Sequence, residues 1–510
     1  MKILVSAILV IALGLAAIYL LGDTPAALVI PVTTNSTVAR SHFIMGRDLF
    51  ERLRMPEAYE HFERAVGEDS GFALAYLYLS RTHPSLEGRA AARIRAAGLA
   101  DRVSEGECLL IRAAEALYAR RPVEEQNLLK RLVELYPTDP RAHNEFGNSL
   151  FYKKDWPGAV DEYLGAISYD PGFSQAYNGL GYCYRFLGNL PAAERCFLKY
   201  MELIPDDPNP YDSYADLLTQ MNRVDEAITF YRRALEIRPD FDLSHLGIAR
   251  GLNLLGRYAE ARDQLRQFYE LADDDGQRRT ALLGLATSYA DQGDLASAAS
   301  ELTKSCELSR AAGDFAALVS DLDNLGLVLL ESGLPNEASK AFTRALQAAE
   351  KCISHPTLLE SRQIDHLRRQ ALVWLGRSKT DAALACAKDY LSRVATLDDP
   401  VRLQLAHQTL GLIALAEGRP GDAADELMQS DLSQAYNQFH LARALEAIGD
   451  ITQAIKYYRQ ASEYDQFTQL TQAFVRAKAR DKVGSMALAG RPGPGASERS
   501  SEIAASSDSR

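Results

Sequence analysis

Cysteines, histidines and one paired-glycine turn are the residues of this chain whose types could carry chemistry. Thiols at CxxC spacing, or alternating with histidine at metal-ligand spacing, would hold a zinc ion. Cys108, Cys183, Cys196, Cys306, Cys352 and Cys386 do neither. They read as buried free thiols packing as small apolar groups. The alternative is that Cys183 and Cys196, on the two helices of one repeat, approach each other in an oxidising compartment. The nine histidines are scattered and none falls in HExxH. Gly179-Leu180-Gly181 lacks the third glycine and the preceding strand of a dinucleotide loop. No Walker sequence, no GxSxG and no carboxylate pair in a plausible cleft occurs. The chain therefore reads as non-enzymatic, with no cofactor and no metal. Its 56 basic and 68 acidic side chains leave a net charge of −12. Such a surface repels a phosphate backbone, so nucleic acid is not an expected partner.

What organises these residues is a repeat. Stretches opening at Pro140, Ser174 and Pro208 share a 34-residue period. Their eighth places are small (Gly147, Gly181, Ala215) and their twentieth are alanine (Ala159, Ala193, Ala227). The twenty-fourth are aromatic (Tyr163, Phe197, Tyr231) and the thirty-second are proline (Pro171, Pro205, Pro239). Small residues let two antiparallel helices touch, the aromatic fills the gap to the next pair, and proline ends the second helix. One hairpin cannot bury its apolar face alone, so the copies must stack. The pattern extends upstream through Gly46, Ala58 and Phe62. Downstream it runs to about Asp275, then stretches to a period of about 40 through Gly326, Ala338 and Phe342. The unit around 364–398 fits weakly, with Gln370 and Ala382 at its small places. Eleven or twelve units result. A glycine five residues before the alanine recurs (Gly188, Gly256, Gly293, Gly333, Gly418, Gly449), as a left-handed turn between helices requires.

This pattern resembles the tetratricopeptide repeat (TPR). The resemblance implies an all-α fold, a right-handed α-α superhelical solenoid of helix hairpins. It also implies that places 2, 5, 9 and 12 of each first helix line a concave groove for a protein or peptide ligand. Carried over residue by residue, those places are Arg141, Asn144, Asn148 and Phe151, then Gln175, Asn178, Tyr182 and Arg185. Asn209, Asp212, Asp216 and Thr219 follow, and the next unit adds Arg250 and Asn253. Amide side chains both donate and accept, so such a row can hold an extended peptide by its backbone. The carboxylate clamp of chaperone-binding TPR domains would place Asn144 and Asn148 at its first two positions. Where that clamp needs lysine and arginine stand Asn209 and Ser213, so a terminal carboxylate is not the expected ligand. The stretch Val103-Ser104-Glu105-Gly106-Glu107 and the run from Ile204 to Ser213 are similar to TPR modules of bacterial kinases, cyclases and winged-helix regulators. No such effector domain accompanies them, so the resemblance implies bacterial origin and a sensing or docking role.

The ends differ from the array. Ile3 to Leu21 is 19 residues long, uncharged and apolar apart from Ser6 and Gly14. As a helix it would reach roughly 28 Å, near the hydrocarbon thickness of a bilayer. Lys2 before it and Asp23 after it orient the amino terminus to the cytoplasm. The expectation is a single-pass anchor (1–22) in a bacterial inner membrane, with the array on the periplasmic side. A signal peptide removed on export is the competing reading. An extended spacer (23–38) should follow, then the array in two parts (39–275 and 276–463). A capping helix (464–483), its outer side carrying Arg476, Lys478, Arg480 and Lys482, and a disordered tail (484–510) should close the chain. The expected function is a membrane-anchored adaptor binding a protein or peptide in its groove. A clientless structural or oligomerisation spacer is the alternative; a TPR-assisted enzyme is a more remote one.

Overall fold

The computed structural model describes residues 28–119, 121–353, 356–397, 399–463 and 470–489. Among these, every regular element is an α-helix apart from one 3-10 turn at Ala100–Arg102. Two compact units divide the chain, one ending at Leu217 and one starting at Leu218.

In the first unit α1 (Thr37–Glu51) pairs with α2 (Met55–Glu68), and α3 (Ala73–Thr82) with α4 (Leu86–Leu99). Next come α5 (Glu105–Tyr118) with α6 (Pro122–Leu135), α7 (Pro140–Tyr152) with α8 (Trp156–Tyr169), and α9 (Ser174–Phe186) with α10 (Leu190–Leu203). The division falls inside α11 (Pro208–Gln220). The second unit continues with α12 (Val224–Ile237), then α13 (Asp242–Leu254) with α14 (Tyr258–Leu271) and α15 (Asp275–Gln292) with α16 (Leu295–Ala311). Longer pairs follow: α17 (Phe315–Glu331) with α18 (Pro335–Cys352), and α19 (Pro356–Gly376) with α20 (Thr380–Val394). The last are α21 (Pro400–Ala416) with α22 (Pro420–Met428), α23 (Ala435–Ala447) with α24 (Ile451–Glu463), and finally α25 (Leu470–Ala489).

Sterics at the small places explain the pairing. A Cβ at Gly147 would lie 2.8 Å from the Tyr163 ring, at Gly181 2.5 Å from Phe197, and at Gly326 2.4 Å from Phe342. Ala159, Ala193 and Ala338 are fully buried opposite them. Helix therefore meets helix at backbone distance, with the aromatic wedged across the seam. Between the two helices the chain turns through the left-handed region at Gly188, Gly256, Gly293, Gly333, Gly418 and Gly449. Leu53, Lys154, Asn222 and Ser378 adopt the same turn at φ between 57° and 64°. Each stands five residues before a fully buried alanine: Ala58, Ala159, Ala227 and Ala383.

That last pair corrects the weak unit. Gln370 is exposed and Ala382 half-buried, whereas Ala371 and Ala383 are fully buried. The repeat there runs one residue later than its spacing suggested, with Ser378 supplying the left-handed turn.

Three further expectations change. Residues 28–34 of the expected extended spacer are tied to the repeats. The Ile30 amide donates to Asp139 Oδ2 (2.8 Å), and the Thr33 amide (2.7 Å) and hydroxyl donate to the Glu107 carboxylate. Thr34 donates to Asp69. These carboxylates already serve helix starts, Asp139 capping α7 and Glu107 closing the capping box of α5. An extended strap thus crosses the ends of three hairpins by sharing the carboxylates at their helix termini. At the other end, helix α25 runs on to Ala489, through residues read as tail, because Lys482 pairs with Glu446 and Val483 and Met486 pack on the core. Its Arg476 does not face outward: it is 4% exposed and ion-paired with Asp291. The unit division at 217/218 does not coincide with residue 276, where the helices only lengthen from 13–14 residues to 17–18.

Residues 3–21, the expected anchor, lie outside the described residues, as do 490–510 of the expected tail. Among the described residues no helix is long and apolar enough to cross a membrane.

Candidate functional site

Tyr163 sets the geometry of the first unit. Gly147 on α7 and Gly179 on α9 flank its ring, and a Cβ on Gly179 would come within 2.5 Å of it. Its hydroxyl donates to Asn148 Oδ1 at 2.8 Å, so the packing that joins α7, α8 and α9 also orients an amide. Burial pushes the phenol far above its ordinary value and keeps it a neutral donor.

Around this seam opens a cleft of about 670 Å³. Six expected groove residues line it together: Asn144, Asn148, Phe151, Gln175, Asn178 and Tyr182. Asn144 Nδ2 donates to Gln175 Oε1 (3.2 Å), and Gln175 Nε2 donates to the Phe50 carbonyl (3.2 Å). This links the amides of adjacent hairpins and fixes their orientation. Three buried oxygens of the lining, Asn144 Oδ1, Asn178 Oδ1 and Ser149 Oγ, have no hydrogen-bond partner among the described residues. The floor and rim are aromatic. Tyr152 is 82% exposed, Phe186 lies 5.8 Å from Phe151, and Trp156 stacks on Phe186 at 5.2 Å.

Charge in the cleft is already balanced. Arg81 binds Glu145 through two donors (2.5 and 3.1 Å) and both line the wall. Arg141 points away, donating twice to Glu51 (2.6 and 3.0 Å), with Arg47 3.8 Å from the same carboxylate. Burial raises the Glu51 carboxyl above its usual range although Arg141 pulls it down. Arg185 faces Asp216 at 3.5 Å. Arg141 and Arg185, two of the three arginines expected in the groove, therefore hold neighbouring helices together.

The remaining expected residues stand elsewhere. Asn209 accepts from Tyr200 (3.2 Å) and Ser213 (3.4 Å) on α11, where Asp212 is buried; neither they nor Asp216 line the cleft. In the second unit Arg250 donates to the Tyr231 hydroxyl and lies 5.8 Å above its ring. Asn253 is buried, accepting from Ser288 (2.9 Å) and, by its carbonyl, from Arg476 (3.0 Å). Helix α25 covers this position, which a count along the first helices could not reveal.

Sequence spacing missed a second cavity of about 540 Å³ in the second unit. Counting from Gly326, the ninth and twelfth places are Leu327 and Leu330; from the shifted Ala371 they are Leu372 and Leu375; from Gly411, Leu412 and Leu415. All six line it. Four of these leucines follow by counting from Gly326 and Gly411; only Leu372 and Leu375 were hidden by the one-residue slip. All six cysteines are free, Cys183 and Cys196 sharing one apolar cluster without a bond; burial pushes the Cys183 thiol up to about 12. Among the described residues no cluster of His, Cys, Asp or Glu is arranged to hold a metal ion.

Models of the tetratricopeptide repeat family match residues 172–240, 247–315 and 435–468. Among curated proteins the chain is similar to Hsp70-Hsp90 organizing protein 3 of Arabidopsis thaliana, 31% identical over 103 residues, which is 20% of this chain and 18% of that protein. It is also similar to Hsp70-Hsp90 organizing protein 1 of Glycine max, 29% identical over 129 residues, 25% and 21% of the two chains. The chain thus spans about a fifth of the length of the curated relatives it matches. Among solved structures it is similar to YrrB, described as a TPR protein with an unusual peptide-binding site (TM-score 0.27, 20% identity, 36% of this chain and 92% of that one). MamA from Desulfovibrio magneticus RS-1 is another (TM-score 0.30, 15% identity, 33% and 95%).

Proposed function

We propose that this chain, which carries tetratricopeptide repeats, is a non-enzymatic adaptor that holds an extended segment of a partner protein in the cleft of its first unit. One observation carries this reading: the amide oxygens of Asn144 and Asn178 are buried in the cleft wall without a donor. An unmatched buried acceptor costs roughly 1–3 kcal/mol. A peptide backbone offers the missing N–H groups, and adds no charge that the neutral cleft would have to balance. The exposed Tyr152 and Phe186 give apolar side chains of the same segment a surface to lie on. The names of the curated relatives describe organisers of other proteins, which supports a protein as the partner class. The adaptor is tethered by residues 3–21 in a bacterial inner membrane, with the repeats outside the cytoplasm. The uncharged apolar run and the Lys2/Asp23 asymmetry support that placement.

Asn178→Ala tests the cleft. Removing an unmatched amide should leave the melting temperature unchanged or raise it, while pull-down of the partner by the purified chain weakens roughly tenfold. Asn144→Ala should weaken it likewise. Retention of every partner by the double variant would refute the reading. So would a loss of binding that only tracks a loss of stability.

A further inference from the structure

The second unit holds a cavity whose chemistry differs from that of the first. Its floor is leucine from three successive first helices (α17, α19, α21), closed on one side by Phe474 of α25. Across its rim runs a chain of donors and acceptors. Arg368 donates to Gln408 Oε1 (3.3 Å), Gln408 Nε2 donates to Asn437 Oδ1 (2.5 Å), and Asn437 Nδ2 donates to the Asp431 carbonyl (2.9 Å). These bonds hold Arg368 in place and use one of its five donors. Arg443, also at the rim, meets His440 Nδ1 at 3.2 Å. Burial, with Arg443 and Lys478 close by, drives His440 well below the ordinary imidazole range, so no imidazolium adds to the rim near neutral pH.

The carboxylates of the lining are engaged: Glu331 pairs with Lys478 (2.6 Å), and Asp431 accepts from Ser433 (2.6 Å) and Gln434 (3.3 Å). Among the described residues neither Arg368 nor Arg443 forms an ion pair. With Glu331 neutralised by Lys478, the lining sets Arg368 and Arg443 against the one carboxylate of Asp431, so in a chain of net charge −12 the rim is net cationic above an apolar floor. An occupant must bring a negative group to the rim and bury apolar side chains below it. A volume of about 540 Å³ suits a few side chains of an inserted segment.

We propose that this cavity is a second ligand site, taking a short peptide segment in which an acidic side chain stands between large apolar ones. It is independent of the amide cleft in the first unit. Its ligand is distinguished by charge, since the amide cleft is neutral and this rim is cationic.

The test is selection of random heptapeptides on the full chain, displayed with their C-termini fused to a coat protein so that only side-chain carboxylates are offered. The expected consensus is Asp or Glu flanked by Leu- or Phe-like residues. Binding of the synthesised consensus peptide, read by fluorescence anisotropy, should weaken about tenfold or more in Arg368→Ala/Arg443→Ala. It should be unchanged in Asn178→Ala, so failure here is separable from failure of the first cleft. Gln404→Glu, which adds a carboxylate to the rim without emptying a contact, should weaken binding as well, whether or not the arginine variant keeps its fold. A consensus without an acidic residue, binding indifferent to Gln404→Glu, or no enriched peptide overturns the proposal. Occupation by dodecanoate in place of any peptide overturns it too, assigning the site to a small amphiphile.

Discussion

A guanidinium and a carboxylate taken out of water together must find all their partners inside. Arg476 and Asp291 are each 5% exposed at the side chain; their forked contact is joined by the Asn253 carbonyl at 3.0 Å, and Arg476 Nη1 is left without a hydrogen-bond partner among the described residues. The pair joins α25 to α13 and α15, across 223 and 185 residues respectively. Breaking such a pair leaves one charge stranded, at about 3–5 kcal/mol, whereas replacing both partners by apolar groups is nearly neutral. Arg476→Ala should therefore lower the stability of the second unit by that amount in denaturant titration, and hydrogen exchange of α25 should rise. Arg476→Met/Asp291→Leu should recover most of the loss. A double variant as unstable as the single one would mean that packing, not charge, is what Arg476 supplies. On a terminal helix a lone arginine defaults to solvent when read along the chain, which is why spacing put it outside. Its partner has no sequence signal at all.

At the level of elements, the repeat was legible because each of its rules is a local steric one. Small residues, aromatic wedge and left-handed turn recur within a single hairpin, so Gly147 with Tyr163 and Gly181 with Phe197 could be paired by counting. Counting fails where several rules are met by unusual residues at once. Ser378 takes the left-handed turn at φ 57°, as Leu53, Lys154 and Asn222 do in units whose other places are regular; here the small places are irregular as well, and spacing sets the register of α19 and α20 one residue early. The slip is testable. Ala371 is fully buried, so Ala371→Leu should overpack the α19–α20 seam and destabilise by roughly 1–3 kcal/mol. Gln370 is exposed, so Gln370→Leu should stay within about 0.5 kcal/mol of wild type. The reverse ranking would restore the original register. The amide cleft was legible for the same reason as the seams, since Asn144, Asn148, Gln175 and Asn178 occupy counted places. What counting could not supply is occupancy: Arg141 is committed to Glu51 and Asn253 lies beneath α25, both consequences of contacts more than 80 residues away.

For the whole molecule, the strap decides how a membrane segment would be connected to the repeats. Leu28 is held through its carbonyl by Thr138 (3.1 Å), and Ile30 by Asp139. With residues 3–21 in a bilayer, the chain from Leu21 to Leu28 reaches at most about 25 Å. The turn between α6 and α7 must then stay close to the lipid surface. A freely jointed spacer starting at the same residue would instead let the first hairpin, α1 and α2, lead. A fluorophore at Glu134→Cys, exposed on the last turn of α6, should transfer energy to acceptor-labelled lipid headgroups when the full chain, carrying Cys352→Ser, is reconstituted in vesicles. Inserting about 20 Gly/Ser residues between Ala27 and Leu28 should sharply reduce that transfer, because a flexible linker of n residues spreads its ends over roughly 5–6 Å × √n. Weakening the strap by Thr33→Val should reduce it less, since the backbone bonds of Ile30 and Thr33 remain. Transfer that ignores the insertion would show that something other than the strap positions the turn. Vesicles that fail to retain the chain would remove the tether itself, leaving the strap as a purely structural brace for the first, third and fourth hairpins.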